Sequence, residues 1–174
     1  GIPLTVVPQR FVAGINNFAF MAIPFFLLVG DLMNAAGITR RIIRLSNALV
    51  GHLPGGLAQV NVVSSMFFGG ISGSATADTA SIGSILIPAM KDEGYDPAFS
   101  AALTASSSTA GPIIPPSILL VLYGVIAGVS ITDLFLAGYV PGILLGLGLL
   151  AVSYVISKRR GYPVHSRASL REVF

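Results

Sequence analysis

The sequence contains no cysteine, only two histidines, and charge on only 10% of its residues. The missing cysteine excludes a disulfide framework and all thiolate chemistry. His52 and His165 stand far apart, so no cluster of metal ligands can be assembled around them. Nor do the few titratable groups offer a nucleophile–base pair or paired carboxylates, and an enzyme is not expected. The scarcity of charge excludes most. A soluble domain carries about 25% charged residues, whereas this chain of 174 residues is 53% hydrophobic with a mean hydropathy of +0.84. It reads as an all-α integral membrane protein whose surroundings are a lipid bilayer, with no nucleic-acid partner. Because it opens on Gly1 rather than Met, it also reads as an internal piece of a longer protein.

What is present divides into apolar stretches separated by glycine, proline and short charged runs. Residues 1–36 provide an entry loop, with the start of a helix, and then a span over Phe18–Ala36, bent at Pro24. Asp31, near the end of that span, is expected at the interface. Gly37 stops the span and Thr39 can cap the next helix. Over Ile38–Leu53, within residues 37–56, Ile38, Ile42, Leu45, Leu49 and Leu53 recur at helical spacing. Arg40, Arg41 and Arg44 occupy the other positions, the pattern of an amphipathic helix lying on the membrane. Residues 57–90 contain two apolar arms, Leu57–Phe68 and Thr79–Met90, around a Gly/Ser tip at Gly69–Ala77. Each arm of about 12 residues reaches roughly 18 Å as a helix, short of a hydrocarbon core of about 30 Å. A re-entrant hairpin fits these lengths better than two spans do. The run Lys91–Pro97 returns to water. Residues 98–129 form a discontinuous helix, Ala98–Ser108 and Ser117–Val129, interrupted by Gly111-Pro112-Ile113-Ile114-Pro115-Pro116. Residues 130–160 supply a full span over Leu134–Ser157, closed by Lys158–Arg160, and residues 161–174 form a polar, loosely ordered cytoplasmic tail. Placing both basic clusters in the cytoplasm is consistent with this topology, whereas counting Leu57–Met90 as one span is not.

Two interruptions of this kind suggest a site, because unpaired backbone at membrane depth is tolerated only where protein buries it or water reaches it. Half-helix N-termini direct partial positive charge towards an anion, while freed carbonyls can hold a cation. The hairpin tip offers the hydroxyls of Ser72, Ser74 and Thr76. The other break offers carbonyls from Gly111 to Pro116, and hard oxygens with so little formal charge suit sodium. Asp78, the carboxylate nearest the tip, is read either as N-cap of the second arm or as polarity in a substrate site. Thr76, Asp78, Ser108 and Thr109 are the substrate-site candidates. Small hydroxyl residues also let helices pack closely and can bond the preceding turn; two such breaks so close together favour a site.

The stretch GISGSATADTASIGSILIPAMKDEGYDPAFSAALTASSSTAGPIIPPS closely resembles the signature region of the DctM-type large membrane subunit of TRAP transporters. GITRRIIRLSNALVGHLPGGLAQVNV and ITDLFLAGYVPGILLG are also similar to that family. The resemblance covers Gly1–Gly161. It implies one half of an inverted-repeat, elevator-type, sodium-coupled importer of organic anions such as C4-dicarboxylates or sialic acids, in the bacterial inner membrane. The implied partners are a small membrane subunit and a periplasmic substrate-binding protein. Carried over by position, the implied cation ligands are Ser72 and Ser74, with backbone carbonyls of Gly111, Ile114 and Pro116. No cofactor is implied beyond the coupling sodium ion. The chain lacks the second, inverted half that the family pattern includes. A membrane scaffold that assembles a complex without transporting is the competing reading. An ion channel would need a continuous polar lining that the full spans do not supply.

Overall fold

The computed structural model describes residues 3–16 and 18–165, and all regular structure among them is helical. The region expected as an entry loop with the start of a helix contains α1 (Val6–Ile15). The expected continuous span Phe18–Ala36 is instead a 3₁₀ turn at Phe18–Met21 followed by α2 (Ala22–Ala35). Pro24 falls in the first turn of α2, where a backbone N–H has no intrahelical acceptor to lose. Gly37, with φ +74°, ends the segment, and α3 (Ile38–Val50) departs at 73° from α2. Thr39 is not the cap that its position suggested: its side chain is buried and its hydroxyl donates to Asn34 Oδ1 at 3.0 Å.

The hairpin differs from expectation in its arms and its tip. Helix α4 runs Gly56–Ser72 and α5 runs Ala75–Asp92, 17 and 18 residues long. At 1.5 Å per residue these are about 25 and 27 Å, not 18 Å, so arm length does not favour re-entry. Only Gly73 and Ser74 stand between the helices. Gly69 and Gly70, assigned to the tip from their composition, are helical, because nothing there requires a left-handed residue until Gly73 at φ +60°. The helices are antiparallel: Val60 and Phe68 of α4 share a buried cluster with Ile82 and Leu86 of α5 and with Ile42 of α3.

After Gly94, the side chain of Asp96 accepts from the Phe99 N–H at 2.8 Å and starts α6 (Pro97–Ser108), with Pro97 in its first turn. Residues 109–116 are not helical. Ser117 then caps α7 (Ile118–Ala127), accepting from the Leu120 N–H at 3.3 Å. The discontinuity expected between the two half-helices is therefore present, with its second half ending at Gly128 (φ +68°).

Helix α8 (Ile131–Arg160) is 30 residues, about 45 Å, the clear apolar span among the described residues. One stripe of it is small and buried: Gly138, Gly142, Gly146, Ser153 and Ser157. A Cβ added at Gly138 would lie 2.6 Å from the Ile113 carbonyl oxygen, and one at Gly142 would lie 2.5 Å from Cγ1 of Ile114. Farther along, the Ser153 hydroxyl donates to Gln59 Oε1 of α4 at 3.1 Å. The stripe thus seats both the break and α4 directly on α8.

The segment after α8, expected to be loosely ordered, folds back through His165; the remainder of that tail lies outside the described residues. Pro163 O accepts from the Gly55 and Gly56 N–H groups at 3.2 and 3.3 Å. Tyr162 stacks on Tyr95 with centroids 4.2 Å apart, and His165 Nε2 meets Glu93 Oε1 at 3.1 Å. Burial, and after it the Glu93 carboxylate, push the Tyr95 hydroxyl up to about 12, so it stays neutral at physiological pH. These contacts bring the start of α4, the α5–α6 turn and the basic end of α8 to one end of the bundle. Both feet of the hairpin therefore stand beside Lys158–Arg160.

The glycine stripe predicts an asymmetry within α8. Gly138→Ala drives a methyl into a backbone carbonyl and should destabilise the folded protein by about 1–3 kcal/mol. Gly148 has no atom within 4 Å of an added Cβ, so Gly148→Ala should be neutral or stabilise by up to about 1 kcal/mol through helix propensity. Thermal unfolding of the two variants in detergent, against the unmodified protein, checks the sign of each.

Candidate functional site

The hairpin tip lies on the broken stretch, and glycine makes the approach possible. A Cβ added at Gly69 would sit 2.5 Å from the Gly111 Cα, so the two backbones meet with no side chain between them. One added at Gly70 would lie 3.3 Å from Cγ2 of Ile114. At the turn itself, a Cβ on Gly73 would lie 2.9 Å from the Pro116 carbonyl oxygen and 3.0 Å from the Ile118 N. Four helix ends therefore converge: the C-termini of α4 and α6 and the N-termini of α5 and α7. C-termini present carbonyl oxygens and N-termini present N–H groups, with partial charges of opposite sign. Such a junction has the elements to hold both a small cation and an anionic group.

Several of these groups are already committed. The Ser74 side chain, not Asp78, caps α5, accepting from the Ala77 N–H at 3.3 Å and lying 3.1 Å from Thr76 Oγ1. The Ser72 oxygen accepts only a long bond, 3.4 Å, from the Ser74 N–H, and its Cβ faces Gly30 of α2. At the break, Ile113 and Ile114 donate back to Ala110 O at 3.0 and 2.8 Å, and Ser117 donates to Pro112 O at 2.6 Å. Among the described residues no hydrogen bond reaches the carbonyl oxygens of Gly111, Ile114 or Pro116. These three and the weakly engaged Ser72 oxygen are neutral hard oxygens, the ligand type that suits a sodium ion.

The four substrate-site candidates do not gather in one place. Thr76 and Thr109 are exposed. Thr76 lines an open groove of about 350 Å³ with Ala75, Thr79 and Ala80, and Thr109 donates to Ser106 O at 2.6 Å. Asp78 and Ser108 are fully buried behind the junction. There Ser65 and Ser108 are the hydroxyls beside the Asp78 carboxylate, although among the described residues neither of its oxygens has a hydrogen-bond partner. A larger cavity, about 500 Å³, touches Gly70, Ile71 and Pro116 but is otherwise lined by Ala22, Phe25, Phe26 and Val29 of α2. Its apolar walls do not suit an organic anion.

The chain matches the family described as "Tripartite ATP-independent periplasmic transporter, DctM component" over residues 1–174. It belongs to the DctM family. It is 48% identical over 166 residues to the sialic acid TRAP transporter large permease protein SiaM of Vibrio cholerae, covering 95% of this chain and 39% of that protein. It is also similar to the C4-dicarboxylate TRAP transporter large permease protein DctM of Pseudomonas aeruginosa, 45% identical over 157 residues, 90% of this chain and 37% of the relative. A third relative is the isethionate TRAP transporter permease protein DctMQ of Oleidesulfovibrio alaskensis, 47% identical over 161 residues, 92% of this chain and 25% of that protein. The chain spans at most about two fifths of the length of these curated relatives. All three are named as TRAP transporter permease proteins.

Within this DctM-family segment, sequence reasoning missed the buried polar seam that holds α6 against the hairpin. Asn61 Nδ2 donates to Thr104 Oγ1 at 2.7 Å, and Ser107 Oγ lies 3.0 Å from Asn61 Oδ1 and 3.1 Å from Ser65 Oγ. A signal was available: Ser100, Thr104, Ser107 and Ser108 recur at spacings of three and four and so share one helix face. The glycines of α8, four residues apart, carried a similar signal for close packing.

The junction makes one glycine much less replaceable than another of the same backbone conformation. Gly37 and Gly73 both have positive φ, but nothing lies within 4 Å of a Cβ at Gly37. Gly37→Ala should cost about 1 kcal/mol, the left-handed penalty alone. Gly73→Ala adds a clash with the Pro116 carbonyl and should cost about 1–3 kcal/mol more. Comparing the unfolding midpoints of the two variants tests the difference.

Proposed function

We propose that this chain is part of the large permease subunit of a sodium-coupled importer of organic anions, chemically akin to the C4-dicarboxylates and sialic acids named for its relatives. One observation carries the reading: the hairpin tip and the broken helix meet at a junction of four helix ends whose carbonyls at Gly111, Ile114 and Pro116 are free of hydrogen bonds among the described residues. In this reading those carbonyls, with the side chains of Ser72 and Ser74, hold one sodium ion. The N-termini of α5 and α7 lend positive potential to the neighbouring anion. Ion and cargo are coupled because sodium ties two separate elements together and so favours the arrangement that binds the anion.

The hairpin is read as re-entrant from the cytoplasmic side of a multi-pass inner-membrane protein. Entry from the cytoplasmic side is supported by both feet standing at the basic end of α8, which the distribution of Lys and Arg assigns to the cytoplasm. Transport of the elevator kind would carry the hairpin and broken helix together past the rest of the subunit. A small membrane subunit and a periplasmic binding protein complete the system, and much of the anion site belongs to parts of the permease beyond this segment.

Ser72→Ala in the complete transporter tests the ion site. It should weaken the apparent sodium affinity of uptake about tenfold, equivalent to about 1.4 kcal/mol, with expression unchanged. Because Ser74 caps α5, Ser74→Ala would mix a lost ligand with a lost cap; Ser74→Gly removes the oxygen at a capping cost of roughly a few tenths of a kcal/mol. Uptake whose sodium dependence is unchanged in Ser72→Ala, Ser74→Gly and the double variant would remove this site from the account.

A further inference from the structure

Among the described residues, only one of the three faces of helix α3 is turned to protein. Thr39, Ile42 and Ser46 are buried, and Ile42 joins the cluster shared with Val60, Phe68, Ile82 and Leu86. Beside that face, Leu45 and Leu49 stand out from the protein, 39% and 51% exposed. Beyond them lie Arg40, Arg41 and Arg44, all exposed. The helix contains no acidic residue, and none of the three arginines pairs with a carboxylate among the described residues. Three like charges within two turns repel one another unless an anion lies among them.

From this arrangement we infer that α3 is a docking surface for anionic lipid headgroups. The chemistry asks for a partner with hydrocarbon and phosphate at fixed relative depth. Leu45 and Leu49 take the first, and the guanidinium forks of Arg40, Arg41 and Arg44 take the second. A free phosphate would leave the leucines unexplained, and a protein partner covering this face is an outcome that the test below distinguishes. Orientation agrees: α3 turns 73° from α2, close to the membrane plane when α2 runs along the normal. Through Ile42 the lipid-bound helix is seated directly against the hairpin. The inference concerns a different part of the chain from the sodium site and stands independently of it.

The test uses the complete transporter with its other cysteines removed. A fluorophore is attached through Leu49→Cys, and the protein is reconstituted in phosphatidylcholine vesicles containing about a third phosphatidylglycerol. Energy transfer is compared between trace acyl-chain-labelled phosphatidylglycerol and acyl-chain-labelled phosphatidylcholine. Phosphatidylglycerol should be enriched about threefold at low salt, and less at high salt. Replacing Arg40, Arg41 and Arg44 together by Gln should abolish the enrichment, replacing them by Lys should keep much of it, and Arg41→Gln alone should lower it. Equal transfer to both lipids, or enrichment that survives the triple Gln replacement, would overturn the inference. Absence of transfer to either lipid would overturn it too, showing that protein covers this face.

Discussion

The rest of the structure depends on backbone meeting backbone at Gly69 and Gly111. In a medium that cannot hydrogen-bond, a chain that leaves the helix must be enclosed by protein, and the break at residues 109–116 is enclosed by bringing the hairpin against it with no side chain between. Gly73 then lets the turn close against Pro116 and Ser117. Any Cβ at these positions would push the tip away from the carbonyls that it covers. The four helix ends would then no longer face one another.

Two further features keep that junction in place. From one side the buried stripe of α8 approaches the same break, with Gly138 against Ile113 and Gly142 against Ile114. From the other, the polar seam of Asn61, Ser65, Thr104 and Ser107 fixes α6 along α4. Their magnitudes differ. Hydrogen bonds between membrane helices are worth about 0.6 kcal/mol each, whereas an intruding methyl in a packed interface costs about 1–3 kcal/mol. Close packing through glycine therefore dominates, and the seam supplies register. At the far end of the bundle, Tyr162 on Tyr95 and Pro163 on Gly55 and Gly56 tie the feet of the hairpin to α8. The tip and the base are thus fixed by different parts of one helix.

Much of this was legible in the residues. The low charge and apolar stretches announced a helical membrane protein, and the prolines after Gly111 marked the broken helix where it is found. The extent of the hairpin tip was not legible. Gly69, Gly70, Ser72 and Ala75 have the composition of a loop but lie in helices, because tertiary packing, not local propensity, asked for small residues there. The arms are longer than the composition suggested for the same reason, 17 and 18 residues. Thr39 and Asp78 both read as caps, yet Gly37 and Ser74 hold those positions, a distinction that turns on backbone conformation. The candidate site was partly legible. The tip and the break do meet, and the carbonyls of Gly111, Ile114 and Pro116 are free of hydrogen bonds among the described residues, but Asp78 and Ser108 are buried and Thr76 and Thr109 lie on the surface.

Contact between the hairpin tip and the break is the central claim, and cross-linking measures it most directly. In the complete transporter in its membrane, with its other cysteines removed, Gly70→Cys and Ile114→Cys bring two thiols within reach of each other, since a Cβ at Gly70 lies 3.3 Å from Cγ2 of Ile114. Mild oxidation should join them, forming an internal disulfide with the same yield whether or not sodium and substrate are present. A pair at Asn61 and Thr104, which hydrogen-bond at 2.7 Å, reports that oxidation and folding are sound. Joining of that control pair with none at residues 70 and 114 would contradict the account.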